Sequence, residues 1–476
     1  MHDTLLLTHT TLIAAPGTRG PEHDMTVVVR DGSIVTVGRT AEVPVPRGAR
    51  VMDLSGKYVI PGLVDMHTHS HGPAELVAQL YVLTGVTTVR EMWGTPAVRA
   101  GRDRVDQGEF PGPRWVIAST LVDGRPSLWT DDASPVPVVE AGTEAEVREA
   151  VRRIKQEDAD FIKVYSRLTR EVYLALADEA RRQGIPYAGH CPDAVPVTEA
   201  SDAGQRTIEH LHPLLTATSS EQYQPTLRRE LEDGLKVDPT DTGSISRCRC
   251  WFRRVHQLES LAARSYDPER AGRVFDRLAA NGTYVTPTLG IHHVMERQDT
   301  LPNRAPEWVH LPGWLTGAWP SQLEELMGGR TEQEYANVRD LNAHHTRIVG
   351  ELHRHGVPLL AGTDSGAPYL VPGFALHQEL EHLTLAGLGA AHALRAATTT
   401  PAHALGLEAL LGTIEPGKAA DLVVLDADPL DDIRNTQRID SVVTRGHLID
   451  RAERRRLLAQ IAQGAAELKP PAGTAS

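Results

Sequence analysis

Val59-Ile60-Pro61-Gly62-Leu63-Val64-Asp65-Met66-His67-Thr68-His69-Ser70 runs from an apolar segment into two histidines one residue apart. The stretch reads as a buried strand over 58–66 that ends in a polar mouth. Alternate side chains of a strand point the same way, so His67 and His69 share one direction. If this is the first strand of a parallel barrel, that direction is into the C-terminal mouth, where barrel enzymes keep their chemistry. Two imidazoles so close suit a single metal ion. Taken alone, a surface histidine pair at a strand–loop junction explains the spacing equally well, so the rest of the chain has to decide.

Working outward, the middle of the chain alternates strand and helix. Strands are predicted over 58–66, 86–91, 114–119, 160–165, 185–190, 205–210, 283–287 and 357–363, with helical patterns at 74–83, 144–157, 169–183 and 374–387 between them. Eight strands in this alternation predict an α/β fold, a (β/α)₈ TIM barrel. The intervals 211–282 and 291–345 are too long for plain connections and are expected to hold helical insertions. Both ends have a different texture. Thr26-Val27-Val28-Val29 and Ser33-Ile34-Val35-Thr36-Val37 flank the turn dipeptide Asp31-Gly32, and Ala420-Asp421-Leu422-Val423-Val424-Leu425 follows Pro416-Gly417. Residues 1–57 and 408–450 together are therefore expected to form one small β-sandwich domain beside a barrel over 58–407, with 451–476 as a C-terminal helix and a frayed tail.

The ends of the other predicted strands weigh against a surface reading of the first. Strand four reads Asp160-Phe161-Ile162-Lys163-Val164-Tyr165, and burying a bare ammonium inside an apolar strand is costly. No carboxylate partner is evident near it in sequence. Strand five ends Gly189-His190, strand six Glu209-His210, and strand eight Gly362-Thr363-Asp364-Ser365. Each residue singly has a structural explanation, as a satisfied core histidine or a capping aspartate. His67, His69, Lys163, His190, His210 and Asp364, standing at the ends of five predicted barrel strands, leave little to coincidence.

Composition sets outer limits. A chain of 476 residues suits a large barrel with an accessory domain. Its net charge of −13 argues against nucleic acid and anionic membranes as partners. Three cysteines, Cys191, Cys248 and Cys250, are too few for a disulfide framework and are read as reduced thiols of a cytoplasmic protein. Met1-His2-Asp3 lacks the basic start of a secretory signal, and no apolar run is long enough to span a bilayer.

With its PGLVDMHTH segment, its Lys163, His190, His210 and Asp364 in that order, and the closing stretch Leu411-Gly412-Thr413-Ile414-Glu415-Pro416-Gly417-Lys418-Ala419-Ala420-Asp421-Leu422, the chain resembles the amidohydrolase superfamily over about residues 20–450. Phe161-Ile162-Lys163-Val164, Val285-Thr286-Pro287-Thr288-Leu289 and His377-Gln378-Glu379-Leu380 are similar to its binuclear imidazolonepropionase-related and prolidase-like branch. The resemblance implies roles. His67, His69 and Asp364 would hold one divalent ion and His190 and His210 a second, zinc by default. Lys163 would carry carbon dioxide as a carbamate bridging both ions, which removes the cost of a buried ammonium. A hydroxide held between the metals would attack the carbonyl of a small-molecule amide, with Asp364 moving its proton to the leaving amine.

Several further residues are candidates for substrate contact. Tyr165 shares a face with Lys163 and either addresses a carbonyl or packs the barrel mouth. Arg167, Arg170 and Arg90 could pair with a substrate carboxylate or serve as ordinary ion-pair residues. His377 could touch substrate, support the site or pack. Trp93, with Trp129 and the tryptophan-rich segment 308–319, is expected to shape an aromatic pocket. Cys191 follows His190 but has no activating neighbour and is not expected to act as a nucleophile. The leading expectation is hydrolysis of a C–N bond in a dipeptide, an N-acyl amino acid or a lactam. The alternatives are cyclic-amide hydrolysis of the hydantoinase or dihydroorotase kind and lactone or ester hydrolysis. A non-enzymatic scaffold is disfavoured because all six ligand positions are filled. Oligomeric state is left open, although barrels of this size often pair.

Overall fold

Two sheets organise the chain, one built by both ends and one by the middle. The computed structural model describes residues 4–70, 72–130, 137–157, 159–234 and 243–470. In the first sheet the strands run in the order His447–Ile449, Ile439–Thr444, Leu422–Leu425, Tyr58–Pro61, Thr4–Leu12, Glu22–Arg30, Ser33–Arg39, with Arg50–Asp53 paired beside Thr4–Leu12. Leu7, Val27, Val29, Val424 and Val443 pack into a shared apolar cluster, which is why N- and C-terminal strands fold as one β-sandwich unit. The single strand expected over 58–66 is in fact two. Tyr58–Pro61 belongs to this sheet and Leu63–Thr68 starts the barrel. The chain changes sheets at Gly62, where a Cβ would lie 2.1 Å from Thr87 Oγ1, so no other residue fits the crossing without displacing that side chain.

The second sheet is the barrel. Leu63–Thr68, Val86–Glu91, Arg114–Asp123, Phe161–Val164, Tyr187–Gly189, Thr207–Glu209 and Tyr284–Thr286 are neighbours in chain order and all parallel. The segment 357–365 fills the eighth place as irregular backbone. It closes the ring through parallel bridges at Val285–Leu359 and Thr68–Ser365, with Leu360 N donating to Val285 O and Met66 N to Ala361 O, both at 2.9 Å. The predicted helices are present as Ala74–Leu83, Glu144–Gln156, Arg170–Gln183 and Phe374–Leu383. Thr143 and Glu146 form a reciprocal cap that starts the second of these.

Both long intervals hold helices, several of which cover the C-terminal mouth. His212–Ala217, Gln224–Gly234, Ser244–Arg264 and Pro268–Ala280 lie in the first, and Leu289–Glu296, Gly313–Met327 and Glu332–Arg354 in or beside the second. Ser244–Arg264 packs against both Gly313–Met327 and Glu332–Arg354, forming a roof above the barrel. The chain ends in the helix Arg451–Glu467, and the last residues of the expected tail, 471–476, lie outside the described residues.

Candidate metal centre and its aromatic cavity

The barrel interior beneath the mouth is polar and fully buried. Arg90, on the second strand, donates to Met66 O at 2.7 Å, to Thr207 Oγ1 at 2.7 Å and to Glu209 Oε1 at 2.7 Å. Glu209 in turn accepts from His67 Nδ1 at 2.9 Å. Burial alone would raise the Glu209 carboxyl, but the Arg90 charge and the His67 hydrogen bond outweigh it and hold the group ionised. Of the two roles open to Arg90, substrate carboxylate or ion pair, the geometry matches the ion pair, with Glu209. Asp65, also buried, ties the first strand to the eighth segment by accepting from Thr363 Oγ1 at 2.7 Å, Thr363 N at 3.1 Å and His67 N at 3.2 Å.

Above this layer the predicted ligands converge. The His67 and His210 rings are 4.9 Å apart between centroids, the His210 and His190 rings 4.7 Å, and the His67 and His69 rings 5.4 Å. Asp364 Oδ1 lies 3.2 Å from His69 Nε2 and 3.4 Å from His67 Nε2. Donor atoms of His67, His210 and Asp364 all fall within 4.8 Å of one another, close enough to share an ion. Three rings are oriented from behind through Nδ1: His67 by Glu209 at 2.9 Å, His190 by Ser166 Oγ at 2.7 Å and His210 by Thr288 Oγ1 at 2.7 Å. This arrangement fixes the ring planes and aims Nε2 at the common centre, as metal-binding histidines require. Burial, joined by neighbouring positive charge, lowers His67 to about 4 and takes His190 and His210 well below the usual range, so all three are neutral donors. His67 Nε2 and Lys163 Nζ are buried with no hydrogen-bond partner. Unpartnered atoms of this kind are what a site built to hold metal leaves behind in the protein alone.

Backbone strain sits at the same place. His210, Thr288 and Asp364 occupy left-handed conformations, with φ of 66°, 49° and 61°. Each stands at a strand end, and each is turned there toward the mouth, where strict alternation would not put it. Gly189 has φ of 132°, and a Cβ on it would lie 2.2 Å from Val164 O and 3.0 Å from Lys163 Cδ. Gly189→Ala is expected to cost about 3 kcal/mol, since the left-handed-side backbone and the clash both penalise it. The check is the urea midpoint, and a shift equivalent to less than about 1 kcal/mol would contradict this account.

His69, His190, His210 and Asp364 form the floor of a cavity of about 280 Å³. A continuous aromatic wall runs from it: His69 against Trp93 at 6.4 Å, Trp93 against Trp129 at 5.8 Å, Trp129 against Tyr165 at 6.4 Å, and Tyr165 stacked on His190 at 4.1 Å. Trp251 and Phe252, from the roof helix, complete the wall. Trp93, Trp129 and Tyr165 thus stand where the sequence reading put them. The segment 308–319 does not. Trp308 and Trp319 pack on Tyr369 away from the cavity, and the helix Gly313–Met327 reaches the cavity instead through Leu323 and Leu326. Trp251 carried no sequence signal of its own.

The remaining candidates lie outside the cavity. His377 is buried with Nδ1 bonded to Thr436 at 2.9 Å and Nε2 to Thr84 O at 3.0 Å, so its ring joins the barrel flank to the C-terminal segment and does not reach substrate. Arg167 is buried beside Asp123 and Asp193, whose charges it balances. Arg170 pairs with Glu199 on the surface. Cys191 is fully buried, donates to Val195 O at 3.2 Å, and burial pushes its thiol far up, which excludes it as a nucleophile.

Comparison with known proteins agrees with this architecture. The model of the Amidohydrolase family matches residues 58–449. Imidazolonepropionase of Pseudomonas fluorescens is 25% identical over 415 residues, spanning 85% of this chain and 88% of that protein. Among solved structures, a bottromycin amidohydrolase superposes with a TM-score of 0.72 at 26% identity, over 97% of this chain and 90% of that one. A Bifidobacterium longum protein described as a candidate prolidase gives 0.64 at 25%, over 96% and 99%. The chain belongs to the amidohydrolase family and is a hydrolase of carbon–nitrogen bonds.

Proposed function

We propose that the protein hydrolyses the amide bond of a small substrate carrying an aromatic or bulky apolar group, such as a dipeptide, an N-acyl amino acid or a lactam. The observation that carries this reading is the convergence of His67, His69, His190, His210 and Asp364 around the unpartnered Lys163 Nζ at the floor of an aromatic-walled cavity. The donor set of neutral imidazoles and a carboxylate fits divalent ions of the zinc class, which His67, His69, His190, His210 and Asp364 would hold, and Lys163, once carboxylated, would add an anionic oxygen ligand. When bound, such ions supply Lewis acidity for the carbonyl and make water a nucleophile at neutral pH.

The chain's own residues do the rest. Asp364, whose carboxyl the adjoining His67 and His69 hold well below the usual range against the cost of its burial, accepts the proton of the attacking water and passes it to the departing amine. Ser166, Thr288 and Glu209 hold the histidine rings so that no reorganisation is needed during the reaction. Trp93, Trp129 and Trp251 exclude water and seat the apolar group beside the scissile bond. Tyr165, pressed on His190, stands beside that bond and serves as a wall.

The test is amine release from a panel of dipeptides, N-acyl amino acids and lactams by zinc-loaded protein in bicarbonate, with apolar and polar side chains compared. Turnover biased toward aromatic substrates supports the proposal. No turnover of any amide by a sample shown to carry metal would overturn it and direct attention to lactones and esters. Trp129→Ala is expected to raise KM for an aromatic substrate about tenfold while leaving KM for a small aliphatic one nearly unchanged, a difference matching the ~1.4 kcal/mol of one lost ring contact.

A further inference from the structure

A second cluster of metal-ligating side chains lies in the roof, outside the site described above. His292 and Glu296 are four residues apart on the helix Leu289–Glu296 and so share a face. His345, from Glu332–Arg354, meets them: its Nδ1 is 2.7 Å from Glu296 Oε1, and His292 Nδ1 is 3.1 Å from the same oxygen. Donor atoms of the three lie within 4.8 Å of one another. Two carboxyl-side contacts support them from behind. Glu259 accepts from His345 Nε2 at 3.1 Å, and Asn342 Nδ2 donates to Glu296 Oε2 at 3.2 Å.

Two observations separate this cluster from a simple buried ion pair. His345 Nδ1, on a fully buried side chain, has no hydrogen-bond partner, because Glu296 Oε1 is near it but off the line of its N–H. The relation between His67 Nε2 and Asp364 Oδ1 at the first centre has the same character. Charge points the same way. Glu259 and Glu296 are both almost wholly buried and together raise His345 to about 10 despite its burial, so in the protein alone one imidazolium faces two carboxylates, and a dication displacing its proton would balance the pair.

We propose that His292, Glu296 and His345 bind a third divalent cation, oriented by Glu259 and Asn342, with an open position toward the cavity. His292 and Glu259 line that cavity, and the His292 ring lies 6.4 Å from the His210 ring. Among the described lining residues there is no lysine or arginine, so this ion is the positive group on its wall and takes a carboxylate or carbonyl oxygen of the substrate remote from the scissile bond. Three protein donors with one position left open is the arrangement of a ligand-accepting zinc site, whereas a purely structural site is closed by four.

The experiment is diffraction at the zinc absorption edge from wild-type crystals grown after dialysis against zinc chloride, with metal content per chain measured by mass spectrometry in wild type and Glu296→Gln. The expected result is an anomalous peak among His292, Glu296 and His345, and one ion fewer per chain in the variant with the peaks at His67 and Asp364 retained. Anomalous density at the first centre with none at the roof cluster, and equal metal content in both proteins, would overturn the proposal. If Glu296→Gln does not fold, the wild-type map decides alone. Failure of the first-centre reading is distinguishable, since it removes density beside Asp364 and leaves the roof peak.

Discussion

Asp364→Asn is expected to lower kcat on the best amide by roughly 10³-fold, or about 4 kcal/mol of barrier, with KM changed less than about threefold. The carboxylate sits on the segment that closes the barrel, with its backbone in the left-handed region and Oδ1 within 3.2 Å of His69 Nε2. Asparagine keeps the shape and one acceptor oxygen, but it can neither hold a negative charge nor accept the proton of an attacking water. The hydrogen bonds of neighbouring Thr363 to Asp65 do not involve the Asp364 side chain, so the strand end is expected to survive. The cavity walls that bind substrate are untouched, which is why the loss belongs in kcat. Assays at saturating zinc, with metal content measured on the same sample, separate the proton role from weakened metal binding. Retention of more than about a tenth of wild-type kcat under those conditions is incompatible with Asp364 as the proton carrier.

The proposed ligands are legible in the sequence because each stands at or near the end of a barrel strand, where fold geometry converts sequence position into spatial convergence. Alternation put His67 and His69 on one side, and the apolar neighbours of Lys163 showed that an unusual group was being buried. What supports the ligands was harder to see. Arg90 and Glu209 are both inward-facing strand residues, yet which opposing side chain each meets depends on strand stagger around the barrel, and no local pattern records that. The sequence therefore leaves Arg90 open between a substrate carboxylate and an ion pair, and does not name Glu209 as the partner. His210 lies next to Glu209 and by alternation should face away. Only its positive φ brings both into the same centre, and a histidine gives no warning of such a conformation as a glycine would. The strand 58–66 was read as one element because its apolar run is continuous, while Gly62 divides it between two sheets. The roof was the least legible part. His345 and Glu259 are 86 residues apart and meet only through helix packing, so their partnership follows from tertiary structure alone.

Lys163→Ala is expected to weaken metal binding by roughly 10²-fold or more and to abolish measurable turnover, with partial recovery on adding a short carboxylic acid such as acetate or propionate. The wild-type side chain is fully buried, yet Nζ has no hydrogen-bond partner, and burial draws its ammonium down to about 8 against the opposing charges of Glu209 and Asp364. As a bare cation it would repel metal. As a neutral amine it can attack carbon dioxide, forming the N–C bond and losing a proton to leave an N-carboxylate. Only the unprotonated amine reacts, so reconstitution of metal-stripped protein should speed up as pH rises through about 8, and should slow in buffer purged of carbon dioxide. The alanine variant leaves a void at the same point, into which a free carboxylate can place its oxygens. Lys163→Met fills that void with an apolar chain, so it should lose activity equally and gain nothing from added acid. Rescue of the alanine variant but not the methionine variant requires an anionic oxygen ligand at this position. Full metal content and turnover in Lys163→Met, or indifference of reconstitution to carbon dioxide, would show that the lysine serves only to fill the barrel.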